Sequence, residues 1–314
     1  MRKIQIRTTN DKVLAEAFEN FIRHKKINNL SSESILYYNR CYKTFCQFHN
    51  PTLPCNTITQ DVVERYTEFL QSKNIVDITV NSYLRGVRAM LYYFMERGYL
   101  QEFSVKLIRF NKKIKETYTN EELDILLKKP NLKICAFAEF RGWVMINYLL
   151  GTGNRLSTMI NVKCGDIDFD NNVIRLTKVK NRKEQIVPLS STLREILKEY
   201  LLYRKGDSED FLFSTVYGEG MTKSGVTTAI KTYNIDRGVA KHSIHLFRHT
   251  FAKLWILNGG DIFRLQKMLG HSSIDIVKEY VNMFSSDLQV DFDQFNPLES
   301  ISAKNKRSPA IKMR

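Results

Sequence analysis

The sequence is poor in glycine and proline, with 14 and 6 among 314 residues. That scarcity excludes collagen-like and linker-rich architectures and argues against long disordered tracts. Its five cysteines are Cys41, Cys46, Cys55, Cys135 and Cys164, an odd count with no CxxC pair. Reduced thiols are therefore expected, rather than a disulfide framework or a zinc site. There is no apolar run of about 18 residues, so no membrane span is expected. The opening MRKIQIRTTNDK lacks the apolar core of a secretory signal. Together these absences predict a cytoplasmic protein.

Apolar residues make up 43% of the chain, with Tyr 15 and Phe 19, enough for substantial cores. Lys and Arg number 48 against 33 Asp and Glu, a net charge of +15. A polyanionic partner is the simplest inference, because basic side chains release counterions from phosphates. Residues 1–116 hold 19 basic and 11 acidic residues, a net of +8; the remainder holds 29 and 22, a net of +7. The excess is not one basic tail. Composition alone leaves a merely soluble basic protein as open as a nucleic-acid binder; the expected place is the cytoplasm, on the double-stranded DNA of the nucleoid.

Helical periodicity runs through the first hundred or so residues. Residues 11–24 carry Val13, Leu14, Ala17, Phe18, Phe21 and Ile22 at helical spacing. Ser31 and Ser32 precede a second helix bearing Ile35, Tyr38, Tyr42, Phe45 and Phe48. After the loop NPTLPCNTIT, Thr59 reads as the N-cap of a third helix. A fourth runs from about Thr79 to Arg97 and ends at Gly98. This predicts an all-α domain over 1–108, followed by a basic linker over 109–117. A second domain over 118–295 opens with Thr119, Glu121 and Glu122 at a helix start, and residues 296–314 form a basic tail. Within it, 173–177 (VIRLT) and 184–189 (EQIVPL) read as two short strands around a polar turn. The expected fold is mainly α: a helical N-terminal domain plus a mostly helical α/β domain with a small β-hairpin or sheet.

Two helices of the first domain carry polar residues suited to phosphates and base edges. On the second these include Asn39, Arg40 and Lys43; on the fourth, Asn81, Ser82, Arg85 and Arg88. Both sets are expected to be exposed and to contact DNA.

The second domain holds the residues that suggest chemistry. His245 and Arg248 are three apart and share one helix face. His271 follows Gly270 at a helix end, and Tyr280 sits on the helix after it. Arg155 stands at a loop-to-helix transition in GTGNRLSTM, and Lys180 lies in the turn between the strands. Arginines can grip two oxygens of a phosphate, and a lysine adds charge. Histidines donate hydrogen bonds or move protons near neutral pH. A tyrosine hydroxyl can attack phosphorus and store the bond energy covalently. No carboxylate cluster or His/Cys ligand spacing accompanies them, so metal-dependent nuclease chemistry is not expected. Singly, each has a bland explanation in packing or a surface ion pair.

Together these segments resemble the tyrosine recombinase (phage integrase) family. TGNRLS is similar to the family's first arginine box, HLFRHTFA to its His-x-x-Arg box, and LGHSSIDIVKEY to its final His-to-Tyr segment. The resemblance implies a catalytic set of Arg155, Lys180, His245, Arg248, His271 and Tyr280. The arginines would hold the scissile phosphate, Lys180 would protonate the leaving 5′ oxygen, and the histidines would assist. Tyr280 would form a 3′-phosphotyrosyl link. The resemblance also implies a helical core-binding domain, no metal or other cofactor, and a homotetramer on synapsed DNA sites. The free protein would be a monomer or weak oligomer, and an accessory directionality factor could bias the outcome. Xer-type and transposon-encoded members are the nearest in layout, and SDLQVDFDQFNPL would dock on a neighbouring subunit. Thr158 departs from the family, which has an acidic residue there. Lys178 shares the strand face of Lys180, and Lys183 shares its turn; Lys180 is preferred because its distance to Pro188 matches the hairpin of the family it resembles. A type IB topoisomerase and an inactive DNA-binding regulator remain as competing functions.

Overall fold

The computed structural model describes residues 12–109, 116–176, 185–270, 274 and 278. The chain forms two compact units, residues 1–113 and 114–314. The described residues are mainly helical, with one small antiparallel sheet in the second unit.

In the first unit, four helices gather around one apolar core: α1 (Leu14–Ile27), α2 (Ser32–Cys46), α3 (Gln60–Gln71) and α4 (Asp77–Glu96). Their starts follow from capping chemistry. Ser31 accepts from the Ser34 amide at 3.3 Å, and Thr59 from the Val62 amide at 3.4 Å. Gly98 takes the left-handed conformation after α4, at φ +71°. Phe21, Phe45, Tyr66, Leu84 and Phe94 are fully buried in the core. Helices α2 and α4 pack closely because Gly86 has no Cβ; one placed there would lie 2.4 Å from the Cys41 sulfur.

The second unit is built on α6 (Phe137–Thr152), whose sequence is mostly apolar and whose middle, residues 140–146, is buried on every side. Around it pack α5 (Asn120–Leu127), α8 (Ser191–Arg204), α9 (Lys223–Asp236) and α10 (Ile244–Leu257). A capping box at Thr119 and Glu122 starts α5. The sheet orders β1 (Ile167–Asp168), β2 (Val173–Leu176) and β3 (Gln185–Pro188), with Ile174 opposite Val187. Ile174, Leu176 and Val187 turn inward, while Arg175 faces out and pairs with Asp168 at 2.8 Å. Strand β1 is an addition to the expected hairpin. The short α7 (Leu156–Met159) follows α6, and α11 (Ile262–Leu269) follows α10. Phe251, Ala252, Leu265 and Leu269 form a small core between α10 and α11.

Entry into this unit is anchored to α10. Tyr118 stacks on Phe247 with ring centroids 4.4 Å apart, and its backbone amide donates to Thr250 Oγ1 at 2.9 Å. Lys241, just ahead of α10, donates to the Thr117 carbonyl at 3.1 Å and to Glu122 at 3.0 Å. Of the expected linker, residues 110–115 lie outside the described residues, as do the segment beyond Tyr280 and the tail.

Candidate active site

Two arginines meet at the C-terminal end of α11. Arg155 sits at the N-cap of α7, in extended conformation. The turn before it is held by Asn154, whose amide donates to the buried Tyr148 hydroxyl at 2.8 Å. Burial raises the Tyr148 pKa, so that hydroxyl stays protonated. From the cap position Arg155 Nη1 reaches the Leu269 carbonyl at 3.1 Å. Arg248, on α10, is only 5% exposed. Its Nη2 donates to the same Leu269 carbonyl at 2.7 Å, and its Nη1 to the Gly153 carbonyl at 2.7 Å. Two guanidinium groups from separate elements thus converge on one oxygen. The negative end of the α11 dipole faces them and offsets their mutual repulsion.

His245 lies one helical turn before Arg248 on the same face, and is solvent-accessible. Desolvation by its packed neighbours lowers its imidazole pKa, and the charges of Arg248 and Arg155 lower it further. The ring is therefore neutral at physiological pH, ready to donate a hydrogen bond or take a proton.

Two site features were not singled out from sequence. Gly153 closes α6 in the left-handed conformation, φ +61°, and a Cβ there would lie 2.5 Å from Phe251 and 2.8 Å from Leu269. Its place after a long apolar helix is a legible C-cap signal. Gln185, the first residue of β3, donates to the Lys267 carbonyl at 3.2 Å and to the Met268 carbonyl. Nothing in its local sequence marks it.

Thr158 is buried on α7, and its amide donates to the Arg155 carbonyl at 2.9 Å. Lys180, with its rivals Lys178 and Lys183, lies outside the described residues, as do His271 and Tyr280. By chain order, β3 begins just after the segment holding the lysines, and His271 follows the Gly270 cap of α11. Among the described residues, then, Arg155, Arg248 and His245 come together.

In the first unit, Arg40, Lys43 and Arg85 are exposed, and Asn39, Ser82 and Arg88 are half-buried. Asn81 corrects the expectation of an exposed face. It is 1% exposed, and its amide grips the Ile108 backbone at both ends: Nδ2 donates to the carbonyl at 2.9 Å, and Oδ1 accepts from the amide at 3.0 Å. The side chain satisfies a backbone segment that no ladder pairs, so Asn81 is structural and leaves the DNA-contact set.

Known proteins resemble this chain in sequence and in fold. Residues 116–286 match the phage integrase family, and residues 13–114 match the phage integrase SAM-like domain. Tyrosine recombinase XerD of Oceanobacillus iheyensis is 24% identical, over 91% of this chain and 99% of that protein. In fold, the chain resembles two solved DNA complexes. One is the Tn1549 transposon integrase with circular intermediate DNA, with TM-score 0.70, 19% identity, and 88% of this chain and 99% of that one covered. The other is XerH site-specific recombinase bound to a palindromic difH substrate in a post-cleavage complex, with TM-score 0.67, 20% identity, and 88% and 83% covered.

Proposed function

This chain belongs to the phage integrase family, the tyrosine recombinases that cleave and rejoin DNA, and from that premise we propose the route by which it does so. Arg155 and Arg248 bind the non-bridging oxygens of the scissile phosphate, where charge grows in the transition state. The Tyr280 oxygen attacks phosphorus, and the bond from phosphorus to the 5′ oxygen breaks. Lys180 gives its proton to that leaving oxygen, while His245 and His271 bind the phosphate and take up the phenolic proton. A 3′-phosphotyrosyl link results. Attack by a 5′ hydroxyl of the partner duplex reverses the step and joins the strands, without metal or nucleotide.

The convergence of Arg155 and Arg248 on the Leu269 carbonyl, with neutral His245 one turn away, carries this mechanism. Two guanidinium groups packed this closely suit a shared anion. In the same reading, residues 1–108 form the core-binding domain, with Asn39, Arg40, Lys43, Ser82, Arg85 and Arg88 toward double-stranded DNA. Residues 118–295 form the catalytic domain. Exchange takes place in a homotetramer on two synapsed sites, with an accessory factor setting direction, and the protein works in the cytoplasm.

The test is a nicked suicide substrate carrying candidate sites. Wild type should give a covalent protein–DNA adduct on a denaturing gel, and Tyr280→Phe should give none. An adduct that survives the substitution would move the nucleophile elsewhere. Supercoil relaxation with no recombinants under any pairing of sites would favour a type IB topoisomerase.

A further inference from the structure

An α-helix leaves its last four carbonyls without intrahelical partners, and at α11 three side chains from the active-site region take up most of that demand. The Gly270 amide donates to the Lys267 carbonyl at 3.0 Å. Gln185 Nε2 donates to Lys267, at 3.2 Å, and to Met268. Arg155 and Arg248 both donate to Leu269, at 3.1 and 2.7 Å. The next residue, Gly270, is left-handed at φ +60°, and a Cβ there would lie 2.8 Å from Gln185 Oε1 and 3.8 Å from Arg155 Nη1. Strand β3 and the helix end are therefore in direct contact through one amide, immediately beside the carbonyl on which both arginines rest.

We propose that Gln185 is a positioning residue for the recombination reaction: by tying the α11 terminus to β3, it fixes the Leu269 carbonyl and thereby aims Arg155 and Arg248. It touches no reacting atom. Its contribution is registry, because a phosphate clamp displaced by about an ångström loses on the order of a hundredfold in rate. The contact needs a donor only, since both partners are carbonyls. This inference rests on the role proposed above for the two arginines.

The experiment uses the full-length protein and the same nicked substrate, and measures the single-turnover rate of adduct formation and the affinity for DNA separately. Gln185→Glu keeps the size but turns an acceptor toward the carbonyls. Its cleavage rate should fall about 10- to 100-fold while DNA affinity stays within about threefold of wild type. Gln185→Lys restores a donor at a helix C-terminus, where a cation is favourable, and should cleave within about threefold of wild type. Wild-type cleavage by Gln185→Glu would overturn the proposal. So would equal losses in both variants together with a lowered melting temperature, which would mark a general structural role. If the unsubstituted protein forms no Tyr280-dependent adduct, the catalytic assignment itself fails, and this inference with it.

Discussion

His245 carries the residue-scale chemistry that can be checked without any DNA substrate. Desolvation, then Arg248, then Arg155, push its imidazole pKa below the ordinary 6.5. Followed by NMR in the free protein, its ring should titrate below that value. Arg155→Ala should raise it, yet leave it depressed, because the larger contributions of desolvation and Arg248 remain. An unchanged titration would show that Arg155 does not face the ring. The sign for stability follows from linkage. The unfolded chain binds this proton more readily than the folded one. The His245 contribution is therefore neutral above the unfolded value and turns destabilising as pH falls through it. An anionic phosphate in the site would oppose the arginines and draw the ring toward protonation, so DNA binding should shift the titration upward.

At the scale of elements, the turn between α6 and α7 does more than connect them. Gly153 accepts from Arg248, and its left-handed backbone leaves no room for a side chain beside Phe251 and Leu269. Gly153→Ala should destabilise the fold by about 1–3 kcal/mol, from strain and overpacking. It should also slow adduct formation by more than the unfolded fraction accounts for, because Arg248 loses its aim. Urea melts and cleavage assays on the same preparation separate the two effects. Much at this scale was legible in sequence. Ser31, Thr59 and Thr119 each mark a helix start, because an N-cap is a local exchange between a side chain and an amide three residues on. The shared face of His245 and Arg248 is equally local. The two-residue β1 was not legible, since so short a strand exists only through its pairing with β2. Nor was Gln185, whose partners lie on α11, far along the chain. That Arg155 and Arg248 share one carbonyl is tertiary too; their chemistry suggested a common phosphate, and the family resemblance put them in one site, but neither gave the Leu269 carbonyl.

Over the whole molecule, the net charge is +15, and α2 and α4 of the first unit show how charge and structure can be told apart by experiment. Polar residues at helical spacing look alike in sequence, yet Asn81 is sealed against Ile108 while Arg85 is open to solvent. Their substitutions should therefore fail differently. Asn81→Ala strips partners from a backbone amide and a carbonyl and should cost about 1–3 kcal/mol of stability, with DNA affinity intact at temperatures where the protein stays folded. Arg40→Gln, Lys43→Gln and Arg85→Gln should leave the melting temperature nearly unchanged, since the three are exposed surface residues. Each should weaken binding to specific and random duplexes alike, and each should flatten the plot of log affinity against log salt by about 0.9 for every phosphate it no longer neutralises. Binding measured across a series of KCl concentrations decides the matter. A slope unchanged by Arg85→Gln removes that residue from the interface, whereas a flattened slope with a changed sequence preference makes it a reader of bases rather than an anchor on phosphate.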